Sequence, residues 1–292
     1  MPMGLHLGLG LGNPPQGIAL EAETQAYLAA MVSQPSDAMK EIYNNLIKGL
    51  KGDGVWAKLD YLQAYYTAHD SWQDALLNLV NPTQRGASID SGTPITFEVK
   101  KGFTVPLSAT LALDTSHNPS QANTKMLYND HFIMLGCHTV PAFSSNYEYT
   151  LTDATNGSLS LRSASNDADF KTLIVSSNNS VVADLGWEAK KWYASCRLSA
   201  SENTLFYCCE TDTAYLSSAS IPNVNGIPNI ANGYKTIIMG KQVVIKNEVG
   251  AFTGNRRETY PSYYVAGAGL TFTQFAALKA RIQAYETAMG AL

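Results

Sequence analysis

The stretch KGDGVWAKLDYLQAYYTAHD, Lys51 to Asp70, gathers residue types that do chemistry: Asp53, Asp60 and Asp70, with His69 directly before the last. An imidazole beside a carboxylate can move a proton, and carboxylates together can hold a cation. Spacing decides between these uses and a structural one. A metal pair on a helix needs i,i+4 spacing, as in H-E-x-x-H. Adjacent His69 and Asp70 would instead diverge by about 100° on a helix. Asp53 sits between Gly52 and Gly54, which marks a turn, so it reads as a turn or N-cap residue. Val55, Leu59, Leu62, Tyr66 and His69 recur at steps of four, three, four and three. That period is one helix face and predicts a third helix from about Val55, with His69 ending its apolar stripe. The stretch is therefore expected to be structural.

Other reactive groups are scattered. His117, His131 and His138 show neither H-x-H nor H-x-x-x-H spacing, so no zinc site is expected of them. Asp167 and Asp169 could share a cation, but no EF-hand continuation follows, and a solvated turn is expected. Two carboxylates for glycoside hydrolysis need only meet in space. Among 24 acidic residues no pair stands out. The phosphate loop, the G-x-S-x-G elbow and a strand-borne G-x-G-x-x-G are all missing. No catalytic residue, metal or cofactor is expected. Aromatics are more suggestive, with 16 tyrosines in the chain. Tyr147, Tyr149, Tyr260, Tyr263 and Tyr264 fall near predicted strand ends, and Trp187 and Trp192 bracket a turn. Exposed rings can stack on sugars through apolar contact. Tyr147, Tyr260, Tyr263 and Trp187 are the candidates for such binding, with core packing the favoured alternative for the tryptophans.

These residues need elements to hold them. The chain has 292 residues, a net charge of -4 and only 15% charged residues. It carries no basic cluster for nucleic acid. No apolar run is long enough for a membrane span, so neither nucleic acid nor a membrane is an expected partner. Cys137, Cys196, Cys208 and Cys209 show no C-x-x-C pair and read as reduced thiols. The start, MPMGLHLGLGLGNPPQG, has no basic n-region and does not read as a signal peptide. Residues 1–17 read as an extended arm whose Leu5, Leu7, Leu9 and Leu11 fall on one side, suited to a groove in a partner or neighbouring copy, with a disordered tail as the alternative.

A helical segment is expected over 18–82, with Ser36 capping a helix from Ala38 to Leu50. Over 83–268 short β-rich runs alternate with turn signals and predict an antiparallel β-sandwich. Examples are Ile95–Val99, Lys125–Cys137, Ser158–Ser163, Lys171–Val175, Lys191–Leu198, Thr204–Cys209, Thr236–Met239 and Gln242–Lys246. The segment Ile221–Gly233 reads as a long loop. Over 269–292 a final helix is predicted to pack on the N-terminal helices. Thr271 and Gln274 form its capping box. Phe272, Phe275, Leu278, Ile282, Tyr285 and Met289 share one of its faces.

The segment QPSDAMKEIYNNLIKGLKGDGVWAKLDYLQAYYTAHDSWQDALLNLVNPT resembles one recurrent in structural proteins of tailed bacteriophages and prophages. The likeness continues through GTPITFEVKKGFT and LALDTSHNPS and closes with LTFTQFAALKARIQAYETAMGAL. It brackets the chain at about 28–120 and 263–292, while 120–262 carries no matching motif. The resemblance implies a concanavalin A-like (laminin-G-like) jelly roll flanked by helices. It also implies a virion structural role, as a tail, fibre or head-decoration component that acts by assembly rather than catalysis. The implied partners are other virion proteins and copies of the chain, within a particle made in the bacterial cytoplasm. The family's Gly-rich GYTGDG turn is replaced here by GFTVPLS (Gly102–Ser108), so no ligand role carries over to that turn. A glycan-binding module of a tail fibre, with a host surface glycan as partner, is the alternative. A polysaccharide-degrading glycosidase is a more distant one.

Overall fold

Ser36 sets the start of the main helix. Its side chain accepts from the Met39 N–H, and α2 runs from Asp37 to Gly52 behind it. The computed structural model describes residues 19–89, 95–105, 112–117, 123–126, 130–137, 146–153, 157–163, 170–175, 192–198, 204–210, 213–219, 237–238 and 261–291. The leucine arm, the expected strand Gln242–Lys246 and the loop Ile221–Gly233 lie outside them. A shorter helix, α1 (Ala22–Ala29), precedes α2. The last helix, α4 (Phe272–Gly290), opens with the predicted capping box: Thr271 accepts from the Gln274 N–H, and the Gln274 side chain reaches back.

The expected third helix is a strand. After a 3-10 turn at Trp56–Lys58, the chain extends as β1 (Leu59–Ala64). The helical spacing was misleading because both faces of β1 are covered. Leu59, Leu62 and Ala64 lie in the core beneath the helices, and Tyr61 and Gln63, on the other side, are buried as well. A strand covered on both faces loses its two-residue alternation. A bulge between Leu59 and Tyr61 pushes Asp60 out of register. The segment 18–82 is thus not wholly helical, and it supplies an edge strand.

After the four-residue α3 (Trp72–Ala75) come β2 (Ala87–Ile89), β3 (Thr96–Glu98), β4 (Gly102–Thr104) and β5 (Ala112–Asp114). Then follow β6 (His131–Cys137), β7 (Asn146–Asp153), β8 (Gly157–Ser163), β9 (Phe170–Val175) and β10 (Trp192–Arg197). The last strands are β11 (Thr204–Glu210), β12 (Thr213–Ala219), β13 (Ile237–Ile238) and β14 (Pro261–Gly267). One six-stranded sheet has the order β1-β14-β6-β10-β11-β12, and a second has β2-β5-β13-β7-β8-β9. Every strand pairing in both is antiparallel. The short β3 and β4 form a separate hairpin. The described chain is therefore mainly β with flanking helices.

The first sheet is the base on which the helices rest. One face meets them through Leu62, Phe132, Met134, Val265 and Cys196, packed against Leu46, Leu50, Phe275, Leu278 and Ile282. The other face buries Tyr61, Ile133, Leu135 and Tyr264, and the segment Leu113–His117 lies buried beside Tyr61 and Tyr264. Of the predicted α4 stripe, Phe275, Leu278, Ile282, Tyr285 and Met289 are buried. Phe272 is not: it is the first helical residue, at the edge of the layer, and is about half exposed at 48%.

Candidate functional site

Four side chains of the types used in acyl transfer meet where α1 hands over to α2. Ser33 lies between those helices, His69 follows β1, Asp74 sits in α3, and Arg85 precedes β2. Ser71 starts α3 by accepting from the Asp74 N–H, which leaves the Asp74 carboxylate pointing at the neighbouring loop. That carboxylate accepts from the Val32 N–H at 2.7 Å and from the Ser33 N–H at 3.1 Å. Arg85 Nη1 donates to it at 3.2 Å, and also to the Gln73 carbonyl, while Nη2 reaches the Ala30 carbonyl at 2.8 Å.

The geometry is not that of a proton relay. In a nucleophile–base–acid triad the imidazole meets the nucleophile with one nitrogen and the carboxylate with the other. Here Ser33 Oγ, at 2.9 Å, and Asp74 Oδ2, at 3.2 Å, both face His69 Nε2. The other nitrogen, Nδ1, looks toward the solvent-exposed Asp70 at 4.0 Å. The cluster is a strut: it ties the loop after α1 to the segment after β1. Burial pushes the Asp74 carboxyl upward, but the Val32 and Ser33 N–H groups, Ser71 and Arg85 outweigh it and hold it below the usual carboxylate range.

The remaining acids of the opening stretch also hold the frame together. Asp53 is the C-cap of α2, not a helix N-cap, and pairs in a fork with Arg281 of α4 at 2.7 and 3.1 Å. Asp60, thrown out by the bulge, accepts from the Lys125 and Met126 N–H groups, both at 2.8 Å. Asn78 is wholly buried and fully used. Its carbonyl takes the Leu62 and Val80 N–H groups, and its amide donates to the Asp60 carbonyl and to Gln84.

His117 is a buried titratable group on the sheet's other face. Nδ1 lies 2.7 Å from the Tyr264 hydroxyl, and the ring packs against Tyr61 at 5.0 Å. Nε2 meets no hydrogen-bonding partner among the described residues. Burial lowers the His117 pKa to about 3, so the ring stays neutral in the fold. The unfolded chain takes the proton near 6.5. Stability is therefore complete above that pH and falls as pH drops toward 3, by up to about 1.4 kcal/mol per pH unit. Urea unfolding between pH 7 and 4 should show this slope, and His117→Gln should flatten it. An unchanged slope in the variant would place the sensitivity elsewhere.

Of the sugar-binding candidates, Tyr263 is corrected. It is 1% exposed and packs against Tyr66 and Tyr285 between sheet and helix. It lies on β14, an interior strand with α4 above it, so its place near a strand end gives it no access to solvent. Tyr264, on the opposite face, is buried against His117. Tyr147 and Tyr149 lie on β7 and Trp192 opens β10, with their side chains outside the description. Tyr260, Trp187, His138, Asp167 and Asp169 lie outside the described residues. His131 is buried on β6. Cys196 is a buried thiol whose sulfur meets the Leu270 main chain. Among the described residues no group of three His, Cys, Asp or Glu side chains is placed to hold a metal ion. No helix of the described residues is long and apolar enough to cross a membrane.

Sequence reasoning missed Ser33, Asp74 and Arg85. One local signal was available: Ser71-Trp72-Gln73-Asp74 before an apolar run is the S-x-x-D helix start. Nothing local marks Ser33 or Arg85.

No family model matches the chain, and no curated protein does. Solved structures give distant likenesses. Domain 4 of a GH43 extracellular arabinanase from Geobacillus stearothermophilus, in complex with arabinotriose, is 14% identical over 76% of this chain and 98% of that domain, with a TM-score of 0.42. A Trypanosoma rangeli sialidase is 11% identical over 82% of this chain, with a TM-score of 0.46, and the match spans 39% of the sialidase. A botulinum neurotoxin serotype D binding domain is 10% identical over 78% of this chain and 52% of its own, with a TM-score of 0.45. At such scores these likenesses carry no functional argument.

Proposed function

We propose that the chain is a structural protein of a tailed bacteriophage or prophage particle, working by assembly and not by catalysis. One observation carries the reading. The residues of the segment that resembles phage structural proteins are the ones that hold the frame. Asp53 pins α4 to α2, Asp60 and Asn78 hold the strand edge, and the His69–Asp74 strut fixes the entry to α2. Two six-stranded antiparallel sheets are compatible with the concanavalin A-like jelly roll that the resemblance implies. The partners are then other virion proteins and further copies of the chain.

The second reading is a glycan-binding module. It is favoured by Trp72, 42% exposed, two residues from the solvent-facing carboxylate of Asp70. Gold-labelled antibody against the purified chain, applied to phage particles from its source and viewed by electron microscopy, tests the first reading. Label on the head or tail is expected. Label confined to fibre tips would favour the glycan reading, and particles without label would overturn the virion assignment.

A further inference from the structure

The helices α2 and α4 lie side by side, yet a groove of about 200 Å³ remains open between them. Its floor is the buried pair Leu46 and Tyr285. Ile42 forms one apolar wall, and Ala284 and Ala288 form the other. The rim carries Asn45 and Arg281. Arg281 is already paired with Asp53, so its charge asks nothing of an occupant. Asn45 is exposed, and its amide can both donate to and accept from an extended main chain.

We infer that this groove receives the Gly–Leu arm, residues 4–12, of a second copy of the chain. The periods agree. Ala284 and Ala288 are four apart on a helix, a rise of about 6 Å. Alternate residues of an extended strand are about 6.7 Å apart. Two successive leucines of the four, such as Leu7 and Leu9, can therefore sit over the two alanines. Gly8 and Gly10 leave the other side of the strand free of bulk between Leu7 and Leu11, while His6 stands there between Leu5 and Leu7. The arm carries no acidic or basic side chain apart from His6, matching a groove whose one charge is already neutralised.

The described chain begins at Ala19, whose carbonyl meets Asn44 of α2. Leu11 lies eight chain steps before it, a span of at most about 26 Å. That distance would also reach the chain's own groove. The path back, however, crosses the exposed ridge of Glu41 and Lys48 on α2. Pro14 and Pro15 favour an extended connection over a tight return. Exchange of an identical element between copies is a low-cost route to assembly. The inference names the self-partner of the assembly reading and rests on it, but its test is independent of any particle.

Full-length Leu9→Cys and full-length Ala288→Cys chains are mixed, oxidised and mapped by mass spectrometry. A disulfide joining position 9 of one chain to position 288 of the other is expected, and it should be absent when either variant is oxidised alone. A link that forms only within one chain carrying both substitutions would overturn the second copy as occupant. No link in either arrangement would overturn the groove as receptor. Leu7→Asp with Leu9→Asp should weaken self-association in sedimentation at least tenfold without changing the melting temperature. Unchanged association would likewise sink the inference. A link between chains with no gold label on particles would leave the groove intact and remove the virion reading alone.

Discussion

Gly267→Ala should cost about 3 kcal/mol or more of stability and detach β1 from the sheet, since it overpacks a core against main chain. Gly267 pairs with Leu59 on one side and Phe132 on the other. A Cβ there would stand 2.2 Å from the Lys58 carbonyl oxygen and 2.8 Å from Leu59 Cα. Both obstacles are main chain, so no rotamer change relieves them. The edge strand must retreat, and with it go the Ala268 N–H bond to Lys58 and the Leu59 contacts beneath α2. Overpacking a core typically costs about 1–3 kcal/mol, and a clash with backbone belongs at or beyond the top of that range. Gly102 is a second such position, with φ at +121° and a would-be Cβ 2.4 Å from the Pro261 carbonyl. Gly49 is the control. Its Cβ would meet only the Arg281 side chain, at 2.7 Å, which can swing aside. Urea denaturation of the three alanine variants should rank Gly267 and Gly102 far above Gly49. Equal midpoints for Gly267→Ala and the parent would refute the close approach of β1 and β14.

The helices were legible because their ends are chemical. Ser36 before α2 and the Thr271–Gln274 pair before α4 satisfy N–H groups that the helix cannot. Seven of the fourteen strands of the described residues (β3, β6, β8, β9, β10, β11 and β13) overlap the β-rich runs named from the sequence. β1 escaped because legibility of a strand depends on one wet face. With Tyr61 and Gln63 buried on one side and Leu62 on the other, what remained was an accidental helical spacing. Tyr263 failed for a related reason: its neighbours in space, Tyr66 and Tyr285, are remote from it in sequence, and they set its burial. The strut was out of reach altogether. Ser33 and His69 are 36 residues apart, and Val32 and Asp74 are 42 apart. Residue types announced chemistry at His69, but only geometry shows that both partners crowd a single ring nitrogen.

Asp74→Ala should be the most damaging change in the strut, at about 3 kcal/mol. Asp74 is buried at 1%, and its carboxylate serves two main-chain N–H groups, one guanidinium and one imidazole. Breaking a buried charge pair costs about 3–5 kcal/mol, but Arg85 is 30% exposed and keeps its two carbonyl acceptors, so the lower end applies. Asp74→Asn preserves an acceptor for one N–H and should cost roughly half as much. His69→Ala removes one arm and leaves the Val32, Ser33 and Arg85 bonds, so it should cost about 1 kcal/mol. The charge also has a pH signature. Because the folded carboxyl is held below its ordinary value, its contribution is complete above about pH 4 and disappears on further acidification through the folded value. Asp74→Asn should lose that low-pH component and keep the His117 slope above it. Urea midpoints at pH 7 and pH 3 for parent, Asp74→Ala, Asp74→Asn and His69→Ala separate the two. An Asp74→Ala midpoint within about 0.5 kcal/mol of the parent would mean that the loop after α1 is held by other contacts, because surface-level effects are of that size.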